Sequence, residues 1–257
     1  MICNKIFSYS FQHKLVEKPP GDVMIEIGKQ FLGKPYKAST LEEPGEEHLV
    51  VNLRNFDCVT FVESVLALSL CVTCDRLSYD AFTTELQTIR YRNGIIGGYS
   101  SRLHYFSDWM YDNQKKGIIE NITAELGAVP YKKNLNFMTT YRAAHSQLAD
   151  DSLFSVFKTL EDSLRKRLLS FIPKQHIVNI QSKIENGDII AITTNREGLD
   201  ISHVGIAVKM NDSSLHYMHA PDIKGAVKIS ELPLAEMLAG HSDQTGIMVL
   251  RIIRNKE

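Results

Sequence analysis

Apolar residues change their period along this chain, and the change divides it into a helical part and a strand-rich part. From Asp22 to Leu32 they fall at Val23, Met24, Ile27 and Phe31, the spacing of one helical face, and Gly33 ahead of Lys34-Pro35-Tyr36 ends the run. From Val59 to about Val72 they lie nearly all round, which predicts a helix buried on most faces. Helical spacing returns from Tyr79 to Tyr91, with Leu86 and Ile89 on one side, and from about Leu103 to Asn113 around the only tryptophan, Trp109. Two more helices are predicted, Thr139 to Leu148 and Asp151 to Leu169, opened by a Thr and an Asp cap. After Pro173 the pattern shortens to β-branched runs at 177–180, 188–193, 203–209, 215–219, 226–229 and 246–253, read as a small antiparallel sheet or barrel.

Turn formers and acids fill 37–55, including Glu42-Glu43-Pro44-Gly45-Glu46-Glu47, which reads as a solvated surface loop and one wall of a site. Gly94, Gly97 and Gly98 interrupt the helices. No repeat, low-complexity tract or linker divides the chain. One α+β domain over 1–257 follows, with a helical insertion at about 75–175.

Composition sets limits on function. With 44% hydrophobic and 23% charged residues, 257 residues can bury a sizeable core. Lys plus Arg (29) nearly balance Asp plus Glu (30), so no electrostatic footprint for nucleic acid is expected. No eighteen-residue apolar run predicts a membrane span, and Met1-Ile2-Cys3-Asn4-Lys5-Ile6-Phe7 lacks the long apolar core of a signal peptide. A cytoplasmic location fits that start, as does a periplasmic or cell-envelope one if a leader was removed.

Four cysteines, Cys3, Cys58, Cys71 and Cys74, are too few and too clustered for a disulfide framework. Cys71 and Cys74 have C-x-x-C spacing but no second pair to complete a tetrahedral set, so they read as structural thiols; no metal and no cofactor is expected.

Cys58 differs from these, because Phe56-Asp57-Cys58-Val59-Thr60-Phe61-Val62-Glu63 places it at a helix start. There the helix dipole and unpaired N–H groups favour a thiolate. Far downstream, Ile201-Ser202-His203-Val204-Gly205-Ile206 places His203 at a strand start as its base. A turn at Asn211-Asp212-Ser213-Ser214 and a return strand bring His219 beside it, with His216 and Asp222 in reserve. Strand residues alternate faces, so at most one of His216 and His219 meets His203. Nucleophile, base and orienting group in this order are the papain-like arrangement.

The remaining polar residues divide less sharply. Glu63 lies about 500° around the helix from Cys58 at roughly 100° per residue, and so pairs inside the fold. His104, with Arg102 and Tyr105, follows Gly97-Gly98-Tyr99-Ser100, which suits either a loop reaching a polar substrate or a helix cap with ordinary surface contacts. His13, His48, His145, His176 and His241 are assigned no role.

Gly28 to Tyr36, Phe56-Asp57-Cys58, Asn186-Gly187-Asp188-Ile189-Ile190, Ser202-His203-Val204-Gly205-Ile206 and Met218-His219-Ala220, in that order, resemble the motifs of NlpC-type cell-wall cysteine hydrolases. The resemblance implies a papain-like fold and hydrolysis of peptidoglycan amides by Cys58, His203 and His219. Tyr36 would hold the substrate or polarise its carbonyl, the Cys58 N–H would be an oxyanion donor, and Asp57 and Ser202 would line the substrate site. The chain departs from that pattern at Val59-Thr60 and Lys37-Ala38-Ser39, and in the long interval between Cys58 and His203.

The stretches Asp57 to Glu63 and Ser101-Arg102-Leu103-His104-Tyr105-Phe106, with the insertion, resemble the N-acetylmuramoyl-L-alanine amidase-like branch over most of 25–253. That implies a cut between the lactyl group of N-acetylmuramic acid and L-alanine in peptidoglycan fragments or muropeptides. The alternatives are a D-glutamyl-diamino-acid endopeptidase and a catalytically silent muropeptide-binding protein.

Overall fold

The computed structural model describes residues 1–221 and 225–253. The chain opens with α1 (Ile2–Gln12) and α2 (Pro20–Lys29), followed by an irregular stretch to Phe56. The central helix is α3 (Cys58–Thr73), and nearly all of it is buried, as its all-round apolar sequence predicts. Next come α4 (Tyr79–Arg90), α5 (Phe106–Lys115), β1 (Ile119–Asn121) and β2 (Val129–Tyr131). Then follow α6 (Phe137–Thr140), α7 (Asp151–Leu164), β3 (Leu169–Pro173), α8 (Ile177–Ile180), β4 (Ile189–Thr194), β5 (Ile201–Lys209), β6 (Leu215–His219), β7 (Lys228–Ile229), α9 (Leu234–Ala239) and β8 (Gln244–Ile252).

The strands form one antiparallel sheet in the order β2-β3-β8-β4-β5-β6-β7, with β1 also paired to β8. One face packs on α1 to α5 through residues such as Phe61, Val65, Ile206 and Met218. The other is covered by Ile177 and Ile180 of α8 and Leu234 and Leu238 of α9. A satellite core of Tyr99, Tyr105, Leu148 and Phe157 lies under α7.

Several expectations need correction. The run 177–180 is a short helix, because Ile177 and Ile180, three apart, are both buried on one helical face; so short an apolar run fits either period. The helix expected over 139–148 is only α6 followed by two tight turns, since Leu148 alone of 142–149 is buried. The helix from Asp151 stops at Leu164, and Leu169–Pro173 joins the sheet. The stretch 75–175 therefore contributes β1, β2 and β3 as well as helices, and the sheet extends well upstream of the C-terminal third.

Candidate functional site

Asp57 opens α3 with a capping box. Its carboxylate accepts from the Thr60 N–H at 2.8 Å and from the Thr60 hydroxyl at 2.9 Å, and the Asp57 N–H donates to that hydroxyl at 3.0 Å. Thr60, a departure from the related motif, is thus the cap's second half. The same turn holds Cys58 in place, half-buried. Tyr36 is also half-buried, and its backbone bridges Phe56, two residues before the cysteine.

His203 comes from the start of β5. The β4–β5 register runs Ile192↔His203 and then Thr193↔Ile201, so Ser202 bulges out, a device that re-aims side chains beside sites. The Ser202 hydroxyl donates to the Ile192 carbonyl at 3.3 Å. His203 is followed by Val204, whose backbone N–H meets the Cys58 sulfur, which brings the strand against the helix start.

His219 pairs with His203, Nδ1 to Nε2, at 2.8 Å. The β5–β6 register places His203, Gly205, Tyr217 and His219 on one face. The Tyr217 ring stacks on His219 at 4.2 Å between centroids, and His203 stands edge-on to both. Gly205 makes room for this, since a Cβ there would lie 2.4 Å from the Tyr217 ring. His216, on the opposite face, is bound to the Ser230 carbonyl at 2.7 Å, and Asp222 lies outside the described residues.

Charge states depart from the simple dipole expectation. Burial, and then the Asp57 charge, push the Cys58 thiol up to about 12, against N–H donors from Val204, Val59 and Cys58 itself. The resting group is a thiol, and a base must take its proton. Burial, with the His203 and Lys228 charges, pulls His219 down to about 3, so it stays neutral. Replacing Asp57 with Asn keeps an effective cap and removes a negative charge beside the sulfur. Asp57→Asn is therefore expected to shift the pH profile of Cys58 alkylation to lower pH, measured with iodoacetamide. An unchanged or upward shift would show that the Asp57 charge does not act on the thiol.

A cleft of about 260 Å³ opens at the α3 start, walled by Ser39, Leu41, Glu42, Asp57, Val59, Glu63, Arg90, Arg102 to His104, Ala144 and His145. Arg102 lies in it but is already bound to Glu42 at 2.6 Å and to the Leu41 carbonyl at 2.7 Å. The acidic loop is thereby tied to the body of the protein rather than merely solvated. His104 Nε2–H donates to the Tyr99 carbonyl at 2.8 Å, and burial pulls the ring down to about 3. Tyr105 is not on the cleft: it is buried, its hydroxyl donating to Glu161 and accepting from the Met138 N–H.

Glu63, as expected, pairs inside the fold, with Arg90 at 2.8 Å and the Trp109 indole at 3.2 Å. His145 is what sequence reasoning missed. Its Nε2 is buried with no partner among the described residues, and its ring lines the cleft. No local pattern marks it, because the turn carrying it reaches the cleft only through tertiary packing. Cys71 and Cys74 are free thiols at the far end of α3. A larger groove beside them, about 460 Å³, lies some 20 Å along the helix from Cys58 at 1.5 Å rise per residue. Among the described residues no group of three or more His, Cys, Asp or Glu is placed to hold a metal ion.

Fold and site together define a mixed α+β protein that brings a cysteine-bearing helix start against the first of two adjacent strands that hold a histidine pair between them. The chain belongs to the AmiA-like family, described as N-acetylmuramoyl-L-alanine amidase-like, whose model matches residues 26–247. That amidase-like family points to a hydrolase acting on peptidoglycan-type material.

Solved structures agree. An N-acetylmuramoyl-L-alanine amidase from Bacteroides uniformis is 37% identical, with a TM-score of 0.86, covering 91% of this chain and 98% of that one. A Bacteroides fragilis protein provisionally described as a xylanase is 38% identical, with a TM-score of 0.83, covering 88% and 98%. A Legionella pneumophila protein, at 23% identity and a TM-score of 0.75, covering 98% and 93%, shares the fold. The curated proteins contain no match.

Proposed function

We propose that this protein is an NlpC-type, papain-like cysteine hydrolase that cuts the amide joining the lactyl group of N-acetylmuramic acid to L-alanine. The observation that carries the reading is the 2.8 Å pairing of His203 Nε2 with His219 Nδ1, on the strand whose next N–H touches the Cys58 sulfur. A neutral His219 accepts from His203 Nε2–H, which leaves Nδ1 of His203 as the base. His203 takes the thiol proton as sulfur attacks the carbonyl, then returns it to the departing L-alanine amine. Water, activated by the same imidazole, resolves the thioester.

The high thiol pKa fits this concerted use of the base better than a standing thiolate. The Cys58 N–H serves the oxyanion and Tyr36 borders the reacting carbonyl. His145 offers a hydrogen bond to bound substrate in the cleft, alongside Arg102 and His104. No metal enters the scheme, and chelator-insensitive turnover is expected.

A glycosidase reading would require two carboxyl groups free to act across a sugar bond. The carboxylates on the cleft are otherwise engaged, Asp57 by the cap, Glu63 by Arg90 and Glu42 by Arg102. The deciding experiment is product mass after incubation with an anhydro-muramyl tetrapeptide. Release of free sugar and intact peptide by the wild type, lost in Cys58→Ala, is the expected outcome. A released dipeptide would move the cut into the stem, as in a D-glutamyl-diamino-acid endopeptidase. Binding without turnover in both forms would make this a muropeptide-binding protein.

A further inference from the structure

We propose that the basic face formed by the β2–β3 pair and the α7–β3 turn docks on the surface of an anionic lipid bilayer. Pairing of Tyr131 with Leu169 brings 132–133 against 165–168 around a groove of about 510 Å³. Lys132, Lys133, Arg165, Lys166 and Arg167 line it, and no Asp or Glu does. A chain whose net charge is only −1 has thus concentrated five cations in one place.

Part of this charge is internally engaged. Arg165 bridges Asp162, Arg167 bridges the buried Asp108, and Lys133 donates to the Thr194 carbonyl at 2.8 Å. Lys132 and Lys166 are exposed, with no acidic partner among the described residues.

The groove's rim identifies the partner. Leu168 is 101% exposed at the tip of the turn, flanked by Lys166 and Arg167. The Arg167 guanidinium lies 4.0 Å over the Tyr111 ring, itself 55% exposed. Cations for phosphodiesters, a projecting aliphatic side chain and an amphipathic ring are the composition of a headgroup-level contact. A nucleic acid would meet the cations but leave Leu168 in water. Docking would be peripheral, since among the described residues no helix is long and apolar enough to cross a membrane.

The test is co-sedimentation of the full chain with vesicles of phosphatidylcholine alone or mixed with phosphatidylglycerol. The protein is expected to sediment with the anionic vesicles and to be released by salt. At about fivefold per surface cation, Lys132→Gln with Lys166→Gln should lower the partition coefficient about 25-fold. Leu168→Ser should weaken binding further, and melting temperatures should stay unchanged because all three side chains are exposed. Equal binding to neutral vesicles, or binding unaltered by the double variant, would overturn the proposal. So would stabilisation by inorganic phosphate, lost in the double variant, with no vesicle binding; that result would assign the groove to a soluble anion.

Discussion

His219→Ala is expected to retain the fold and lose roughly 10²- to 10⁴-fold in kcat on a muramyl-peptide substrate, with KM little changed. The reason is tautomeric. In the proposed mechanism His203 takes a proton from Cys58 only if its far nitrogen holds a hydrogen against an acceptor, and His219 Nδ1 lies 2.8 Å from that nitrogen. Without it the imidazole loses the acceptor that fixes its tautomer. Gly205→Ala should reproduce part of the loss without touching either histidine, because its Cβ would meet the Tyr217 ring that stacks on His219. A His219→Ala enzyme within tenfold of wild-type kcat would remove His219 from the mechanism.

The second large effect concerns stability. The side chains of Glu63 and Arg90 are each only 3% exposed, and Arg90 also donates to the Val50 carbonyl at 2.6 Å. Burial pushes the Glu63 carboxyl up while the Arg90 charge draws it back, so each group depends on the other. Glu63→Ala leaves a guanidinium and the Trp109 N–H buried without their acceptor. A loss of about 3–5 kcal/mol is expected, read from urea unfolding at constant m-value. Replacing the pair together, Glu63→Leu with Arg90→Met, should recover most of it, since neither charge is then stranded. If the single variant costs less than about 1 kcal/mol, the pair is more solvated than its burial implies.

Sequence and structure agree where the signal is local. A cysteine after Asp57 and before an apolar run marks a helix start, and strand alternation alone separates His219 from His216. The ionisation of Cys58 is harder to foresee, because sequence exposes the dipole of α3 and the neighbouring Asp57 but not the burial that does most to raise the thiol. The cleft's far wall was hidden too. The glycine-rich approach marks Arg102 and His104, yet Tyr105 from the same stretch is in the core, and His145 reaches the cleft only because 137–149 packs on the satellite core around Tyr99 and Phe157. Strands of three residues, one containing Pro130, carry too little periodicity to be read at all.

The position of β8 also sets the order of events in folding. Its nine residues pair with β4 along one edge and with β3 and β1 along the other, although β1 lies more than a hundred residues earlier in the chain. The two halves of the sheet, β2-β3 and β4 to β7, cannot be joined until that strand arrives. Loop closure over such separations is slow, and β3 and β4 present bare edges until it occurs. β8 must therefore be made and free to pair before β5, and with it His203, has a complete sheet behind it.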